Sequence, residues 1–460
     1  MVKRHLALTF SALGVRDYRR FAFGQAVSVS GTWMQKLAQA WLVLELTNSP
    51  VLLGVTVAMQ QLPTLLFTTL GGALADRFDK RTILLWTAIG SVLPAVVLGL
   101  LVQLHVVAVW IVMLAALIQG FVDAVDKPAR LTVVNDIATP ETLPNAVMLN
   151  GIIQDSGKVA GPAVAGLLIA SVGISAAFFV NALSYVPVIV ALLLIKPHRP
   201  VVHLTTFKAT GNLTGTLRYV AANPKLAAAL SLMAVGGLLA YNWNVLLPAF
   251  TRDVFAGDAR AVGFAFTSLG LGAVLGGLAL AAFLRATPTR LSVNGLAFAL
   301  MLTLLAFAPT LPIAYGVLFL VGAFSVTFRA TATTLLQLYA DPQMRGRVIS
   351  LLVLATAGTT PFGGPLIGWI CEQANPRMAC VIGGVGTALA AVASLFFLRA
   401  KQELAVAPDP EATRARRVVR ATEALPGLPA GRVRRVGRPG LRGTRSLAVA
   451  PRQADRGHAR

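Results

Sequence analysis

Charge is scarce in this sequence. Only 13% of its 460 residues are charged, against about 25% in a soluble domain. The shortfall excludes an ordinary solvated globule. Cysteine is nearly absent: Cys371 and Cys380 are the only two, so no disulfide framework exists. They either form one pair or sit as apolar side chains. The five histidines, His5, His105, His198, His203 and His458, show no metal-ligand spacing. Neither a G-x-S-x-G nucleophile elbow nor a phosphate-cradling G-x-x-x-x-G-K-[ST] loop occurs, so no enzyme chemistry, no ATP-driven pump and no cofactor is expected. The first apolar run is long and lacks a small-residue cleavage site, so no cleavable signal peptide is expected.

What the chain has instead is apolar length. Hydrophobic residues make up 56% and the mean hydropathy is +0.72. Apolar runs lie at about 21–45, 51–75, 82–104, 107–129, 144–170 and 173–195, and again at about 225–250, 261–284, 291–309, 312–338, 347–371 and 378–399. Each can cross a hydrocarbon core of roughly 30 Å as a helix. The 41 glycines and 25 prolines suit such helices, because small residues let backbones approach and neighbours satisfy freed groups. The expected fold is an all-α membrane protein of twelve transmembrane helices in two six-helix halves. Its parts are a basic arm (1–20), a first bundle (21–195), a linker (196–224), a second bundle (225–399) and a basic disordered tail (400–460). Nineteen lysines and arginines before the tail fall on one set of loops and three on the other. This asymmetry places both termini in the cytoplasm and the protein in the cell inner (plasma) membrane. The net charge of +22 is concentrated in those loops and the tail, and without interleaved aromatics it does not indicate nucleic acid.

The two halves resemble each other. Gly120 and Pro140 recur as Gly322 and Pro342, Gly161-Pro162 as Gly364-Pro365, and Gly71-Gly72 as Gly276-Gly277, at offsets of 202 to 205 residues. The common order suggests a parallel repeat. Between the second and third runs lies the short charged stretch 72–81. Its Gly72, Leu74, Asp76 and Arg77, with Lys80 and Arg81, resemble the signature loop G-x-L-x-D-R-x-G-R-[KR] of the major facilitator superfamily. Asp79 stands where that pattern has glycine. Further stretches, Gly31-Thr32-Trp33-Met34-Gln35-Lys36, Lys127-Pro128-Ala129-Arg130, Leu143-Pro144-Asn145-Ala146 and Asn181-Ala182-Leu183-Ser184-Tyr185, are similar to the branch of enterobactin-exporter-like and macrolide-efflux-like proteins. The resemblance implies a monomeric exporter of small organic molecules that exchanges them for protons by alternating access. It also implies that Asp76 acts as a conformational latch, with Gly72, Arg77 and Arg81, against a helix end near Arg345 and Arg347. An importer or uniporter on the same fold, or a membrane sensor or scaffold that uses the tail, remain open readings.

Charge inside an apolar run is costly, by about 2.5–3.5 kcal/mol on insertion scales, and marks a cavity or a partner. Lys36 lies in the middle of the first run, with Trp33 and Gln39 at helical spacing. With Arg329, which has no acid on its own run, these are the candidate substrate-binding residues. Asp123 and Asp126 share one face of the fourth run and are candidate proton-coupling groups, Asp123 first. The alternative is that they neutralise Lys158 and Arg130 permanently. Asp155 and Lys158 stand three apart on the fifth run and, with Arg130, are expected to form buried ion pairs. Glycines four apart (Gly157 and Gly161, Gly272 and Gly276, Gly364 and Gly368) offer close packing or a sliding surface between halves. Deleting 401–460 separates two of the readings. An appendage leaves substrate transport by the truncated protein intact, whereas a sensor or scaffold loses function.

Overall fold

The structure is a computed structural model, and it describes residues 11–195, 213–281 and 286–406. Among them every regular element is a helix. Helices start where the sequence supplies a cap. α1 (Arg16–Thr47) stops at Asn48, whose left-handed φ of 52° suits an asparagine. Ser49 then accepts from the Leu52 N–H, and Pro50 opens α2 (Pro50–Arg77). Asp79 accepts from the Thr82 N–H at 3.0 Å and starts α3 (Lys80–Gln103). The aspartate that departs from the signature loop is therefore a helix cap.

α4 (Val109–Ile137) and α5 (Leu143–Ser171) follow. α6 (Ile174–Ser184) continues as α7 (Val186–Leu194) past Tyr185. Asn223 and Pro224 separate α8 (Leu213–Ala222) from α9 (Pro224–Leu239), and the two meet at 113°. The remaining elements are α10 (Trp243–Phe255), α11 (Ala259–Leu271), a π turn (Gly272–Gly276), α12 (Gly277–Ala281), α13 (Pro288–Ala306), α14 (Leu311–Tyr339), α15 (Arg345–Thr356), α16 (Thr360–Gln373) and α17 (Pro376–Val406). Nine helices or continuous helix pairs among the described residues are long and apolar enough to cross a membrane. α1 is not one of them, because Gln25, Gln35, Lys36 and Gln39 interrupt its apolar surface. It packs against α5, α6 and α7 instead of standing alone in lipid. There Gln25 donates to Asn150 at 2.6 Å, and Asn181 donates to Gln35. Gln35 therefore faces α6, away from Lys36.

The sequence repeat has a packing cause. A Cβ on Gly120 of α4 would strike the Gln60 carbonyl of α2, and one on Gly322 of α14 would strike the Leu269 carbonyl of α11. Gly71 meets Ala124, and Gly276 meets Ala323. The same helix pairs thus close in each half through the same small residues. The third glycine pair is shifted by one: Gly161 lies on Ser30 of α1, while Gly363, not Gly364, lies on Leu238 of α9. The spaced glycines also divide by role. Gly157 and Gly161 face α1, and Gly272 and Gly276 face α14, each inside its own half of the chain. Contacts across the halves include Gly54 with Gly364, Gly368 with Pro50, Gly166 with Ala259 and Gly263, and Gly270 with Val159.

Several expected boundaries move. The arm assigned to 1–20 already contains a 3-10 turn (Ser11–Gly14) and the start of α1. The last helix, α17, runs to Val406, beyond its apolar span of Pro376–Leu398. The linker contains α8, while 196–212 and the tail from 407 lie outside the described residues. Cys371 and Cys380 are both buried free thiols.

Burial pushes the Asp79 carboxyl up, but the hydrogen bonds from Thr82 and Arg81 and the Arg81 charge outweigh it and hold the group below its ordinary value of 3.8. Its capping contribution is therefore present at neutral pH and is lost on acidification through that lowered native value. Asp79→Ala is expected to cost about 1 kcal/mol of stability at pH 7. Thermal unfolding of purified protein at pH 7 checks this, and an unchanged midpoint would remove the cap from the account.

Candidate functional site

A cavity of about 410 Å³ lies between the helices of the two chain halves. α1 contributes Trp33 and α5 contributes Asp155 and Lys158. Tyr241 and Asn244 stand opposite, at the break between α9 and α10 and at the start of α10, and α14 contributes Arg329. The wall behind Tyr241 is rigid and aromatic. Tyr241 stacks on Phe298 at 5.2 Å, Phe298 on Phe328 at 6.0 Å, and Trp243 meets both Tyr241 and Phe298 edge-on at 6.3 Å. The Tyr241 hydroxyl donates to the Ser325 carbonyl at 2.9 Å. A smaller recess of about 20 Å³ adjoins the cavity, with Val57 and Asn244 lining both, and it holds Lys36, Gln39, Thr56 and Gln60. The Lys36 ammonium lies 4.4 Å from the centre of the Trp33 ring, a cation–π contact. All four expected substrate-binding residues thus face this space, in two groups: Trp33 and Arg329 in the cavity, and Lys36 and Gln39 in the recess.

The charge pairs differ from the expected ones. Asp155 and Lys158 do pair, at 2.6 Å, but their side chains are 56% and 42% exposed. They line the cavity and are not buried. Lys158 therefore cannot neutralise Asp123. The partner of Asp123 is Lys127, one turn along α4 at 3.2 Å, and Gln119 donates to the same carboxylate at 2.9 Å. Asp126 is bound by Arg130, again one turn along, through two nitrogens at 2.7 and 2.8 Å, and by the Thr87 hydroxyl at 3.0 Å. The two acids are chemically unequal. Arg130 is a permanent cation with a planar fork, and its pair with Asp126 is largely buried. Lys127 is a point charge that is half exposed. Lys36 on α1 is the other cation whose charge acts on Asp123 from outside α4, with Lys127 acting from within it.

The two ends of the molecule are not alike. At the end away from the 72–81 stretch, the halves are clasped. Arg252, in the last turn of α10, donates to the Leu44 carbonyl and the Asn48 side chain at the C-terminus of α1. Glu372 of α16 accepts from the Ser49 hydroxyl and from the Val51 N–H at 3.1 Å, at the N-terminus of α2. A cation on a helix C-terminus and an anion on an N-terminus both complement the helix dipole. At the 72–81 end the six expected latch residues are not brought together. Asp76 and Arg77 are exposed, and among the described residues Asp76 makes no ion pair or hydrogen bond. Arg81 donates to the Leu193 carbonyl of α7 at 2.9 Å, Lys80 to Asp136 at 2.7 Å and Arg345 to its neighbour Ala340. Arg347 reaches Met344. Gly72 has nothing within 4 Å of a built Cβ. The halves are thus clasped at the far end, and among the described residues no ion pair joins them at the 72–81 end.

Arg252, Glu372, Tyr241 and Asn244 escaped the sequence reading. Arg252 and Glu372 lie near helix ends, where an isolated charge reads as loop solvation. Tyr241 and Asn244 lie in an apolar run whose break cannot be seen in composition. The signal that was available is the Asn48-Ser49-Pro50 turn, whose capping groups mark two helix termini facing one point.

Helices packed in two sets around a charged cavity and clasped at the far end are the arrangement of a polytopic membrane transporter, and comparison with known proteins gives its type as major facilitator. Residues 7–419 match the family described as transmembrane secretion effector, and the chain belongs to that family. Its members are transporters, not enzymes. The chain is 25% identical over 359 residues to the staphyloferrin A transporter of Staphylococcus aureus, covering 75% of this chain and 86% of the relative. It is 25% identical over 403 residues to the multidrug efflux pump Tap of Mycolicibacterium fortuitum, covering 84% and 97%. In fold it is similar to the nucleoside transporter NupG, with a TM-score of 0.66 at 15% identity over 83% of this chain and 99% of that one.

The clasp can be released one contact at a time. Arg252→Ala and Glu372→Gln should each weaken far-end closure by about 1–2 kcal/mol, a shift of roughly 5–30-fold toward the open arrangement. Distances between spin labels at the far ends of α1 and α10 check this. An unchanged distribution in both variants would mean that the glycine contacts alone hold that end shut.

Proposed function

We propose that this protein is a secondary transporter of the inner (plasma) membrane that exports small organic molecules in exchange for protons. In this reading it works as a monomer with twelve membrane crossings in two six-helix bundles and both termini in the cytoplasm. The observation that carries the reading is the cavity between the halves, which Arg252 and Glu372 clasp at the far end while Asp76 is free at the other. The excess of Lys and Arg on the 72–81 side makes that end cytoplasmic, so the cavity takes its cargo from inside the cell. Rocking of one half against the other, with α2 sliding on α16 and α5 on α11, exposes the cavity to the other side. In that second state Asp76 meets the helix end near Arg345 and Arg347, whose N-terminal dipole and cations suit a carboxylate. The relatives, a staphyloferrin A transporter and a multidrug efflux pump, support transport of small organic molecules, and the second supports export.

Proton exchange needs a group that is charged on one leg of the cycle and neutral on the other. Asp123 fits better than Asp126. Its carboxylate is largely buried, yet its ionic partner Lys127 reaches half into the open and can be released to water when a proton takes its place. Asp126 would have to give up a two-nitrogen contact with an arginine that stays charged. This structure then corresponds to the deprotonated, cargo-accepting state.

Asp123→Asn tests the assignment. Inverted vesicles loaded from a panel of siderophores and drugs should lose at least about tenfold of their pH-gradient-driven uptake, which is the equivalent of one kcal-scale step of coupling. Asp126→Asn should lower protein yield more than coupling. If Asp123→Asn uptake keeps its pH dependence, Asp123 is not the coupling group.

A further inference from the structure

The cavity and its recess contain more charge than their protein partners match, and all of the excess is positive. Among the described residues Asp155 is the only acid lining the cavity, and Lys158 already holds it at 2.6 Å. Arg329 faces the same space, and among the described residues its guanidinium makes no hydrogen bond or ion pair. In the recess, the Lys36 ammonium lies over the face of Trp33, and the acid whose charge acts on it, Asp123 of α4, is already paired with Lys127. The ammonium makes no hydrogen bond or ion pair with any described residue. Next to it, Gln39 is 4% exposed, and its Nε2 is buried without an acceptor. A buried donor that lacks an acceptor costs its full desolvation, and a lysine in an apolar span costs more. Two such donors sit one turn apart on α1 and face the same recess. The ligand that satisfies both brings an acceptor, and against an ammonium the strongest acceptor is an anion.

Size assigns the parts of that ligand. The recess of about 20 Å³ exceeds the room a single water needs and fits a small head group, not a ring. The adjoining 410 Å³ is walled by Trp33, Tyr241, Trp243 and Phe266 and suits an apolar or aromatic body. We propose that Lys36 and Gln39 form a subsite for the carboxylate, or an equivalent acidic head, of an amphipathic organic acid whose apolar body occupies the main cavity. Arg329 faces the same cargo from the second half and favours a further acidic group on it. The proposal rests on the cavity being the cargo site and deepens that reading by naming the cargo's chemical class.

Equilibrium binding to the full-length protein in lipid nanodiscs tests it, with three probes that share one body: 2-naphthylacetate, its neutral amide, and 2-(2-naphthyl)ethylamine. Calorimetry at pH 7 should show the acid binding at least about tenfold tighter than the amide, and the amine weakest. Lys36→Gln should abolish the preference, Lys36→Arg should retain part of it, and Gln39→Leu should reduce it several-fold. Far-UV circular dichroism and thermal unfolding should show all three variants folded like the unsubstituted protein, so that a lost preference reports the subsite. An acid that binds no tighter than the amide overturns the proposal, as does a preference that survives both Lys36→Gln and Gln39→Leu. No gradient is used, so the result is separable from the exchange reading. Lost head-group preference with pH-driven export intact rejects only the subsite. Intact preference without pH-driven export rejects only the proton exchange.

Discussion

A charge held away from water must be matched, and that requirement organises the interior of this protein. Backbone groups meet it by forming helices, the only way an open chain can satisfy itself in lipid. Side chains meet it in pairs one turn apart. Asp123 with Lys127 and Asp126 with Arg130 neutralise each other on the same face of α4, so these four charges leave little net field there. Lys36 and Arg329 are the exceptions: neither makes an ion pair with a described residue, and the Asp123 charge that acts on Lys36 is already held by Lys127. Their cost is tolerated where they face a cavity, and an unmatched charge in a cavity is a specificity device: it selects the cargo that completes the pairing.

Close packing supplies the second constraint. Van der Waals contact and a few hydrogen bonds hold helices together in lipid, so backbones must approach where only glycine fits. Inside each half these approaches join α2 to α4 and α11 to α14 through carbonyl contacts at Gly120 and Gly322. Across the halves they include Gly54, Gly364, Gly368, Gly166 and Gly263, and Gly270 packs on the Val159 side chain. Smooth glycine surfaces contain no interlocking side chains to break, so one half can shift on the other at small cost. The polar clasp of Arg252 and Glu372 adds direction to that surface. Each uses one side chain of the second half to satisfy a helix terminus of the first. Contacts of this size are strong enough to bias a two-state equilibrium and weak enough to be undone in each cycle.

Much of this was legible in the sequence. The signature stretch at 72–81, the repeat offsets and the basic asymmetry led to the family, the helical membrane class and the pairing of small residues. Lys36, Gln39, Trp33 and Arg329 could be picked out because an ionic or amide group in an apolar run is rare. Less legible were the partners. Three-residue spacing put Asp123 and Asp126 on one face, and the alternative reading gave them Lys158 and Arg130 as permanent partners. In the structure each acid looks four residues ahead, because i and i+4 side chains on a helix lie one above the other.

Composition and local pattern determined where helices run, where they are capped and which residues are costly to bury, since these follow from the transfer cost of each side chain and from backbone hydrogen bonding along the chain. Asp79 capping α3 and Ser49 with Pro50 opening α2 belong to that local set. Tertiary structure alone decided which costly residues remain unmatched. Lys36 could have met an acid on another helix, and whether it does depends on the rotation of α1 against α2 and α10. The same holds for Arg252 and Glu372, whose partners lie 208 and 321 residues away in the chain. No local propensity encodes a contact of that separation, because it exists only once the two halves have met around the cavity.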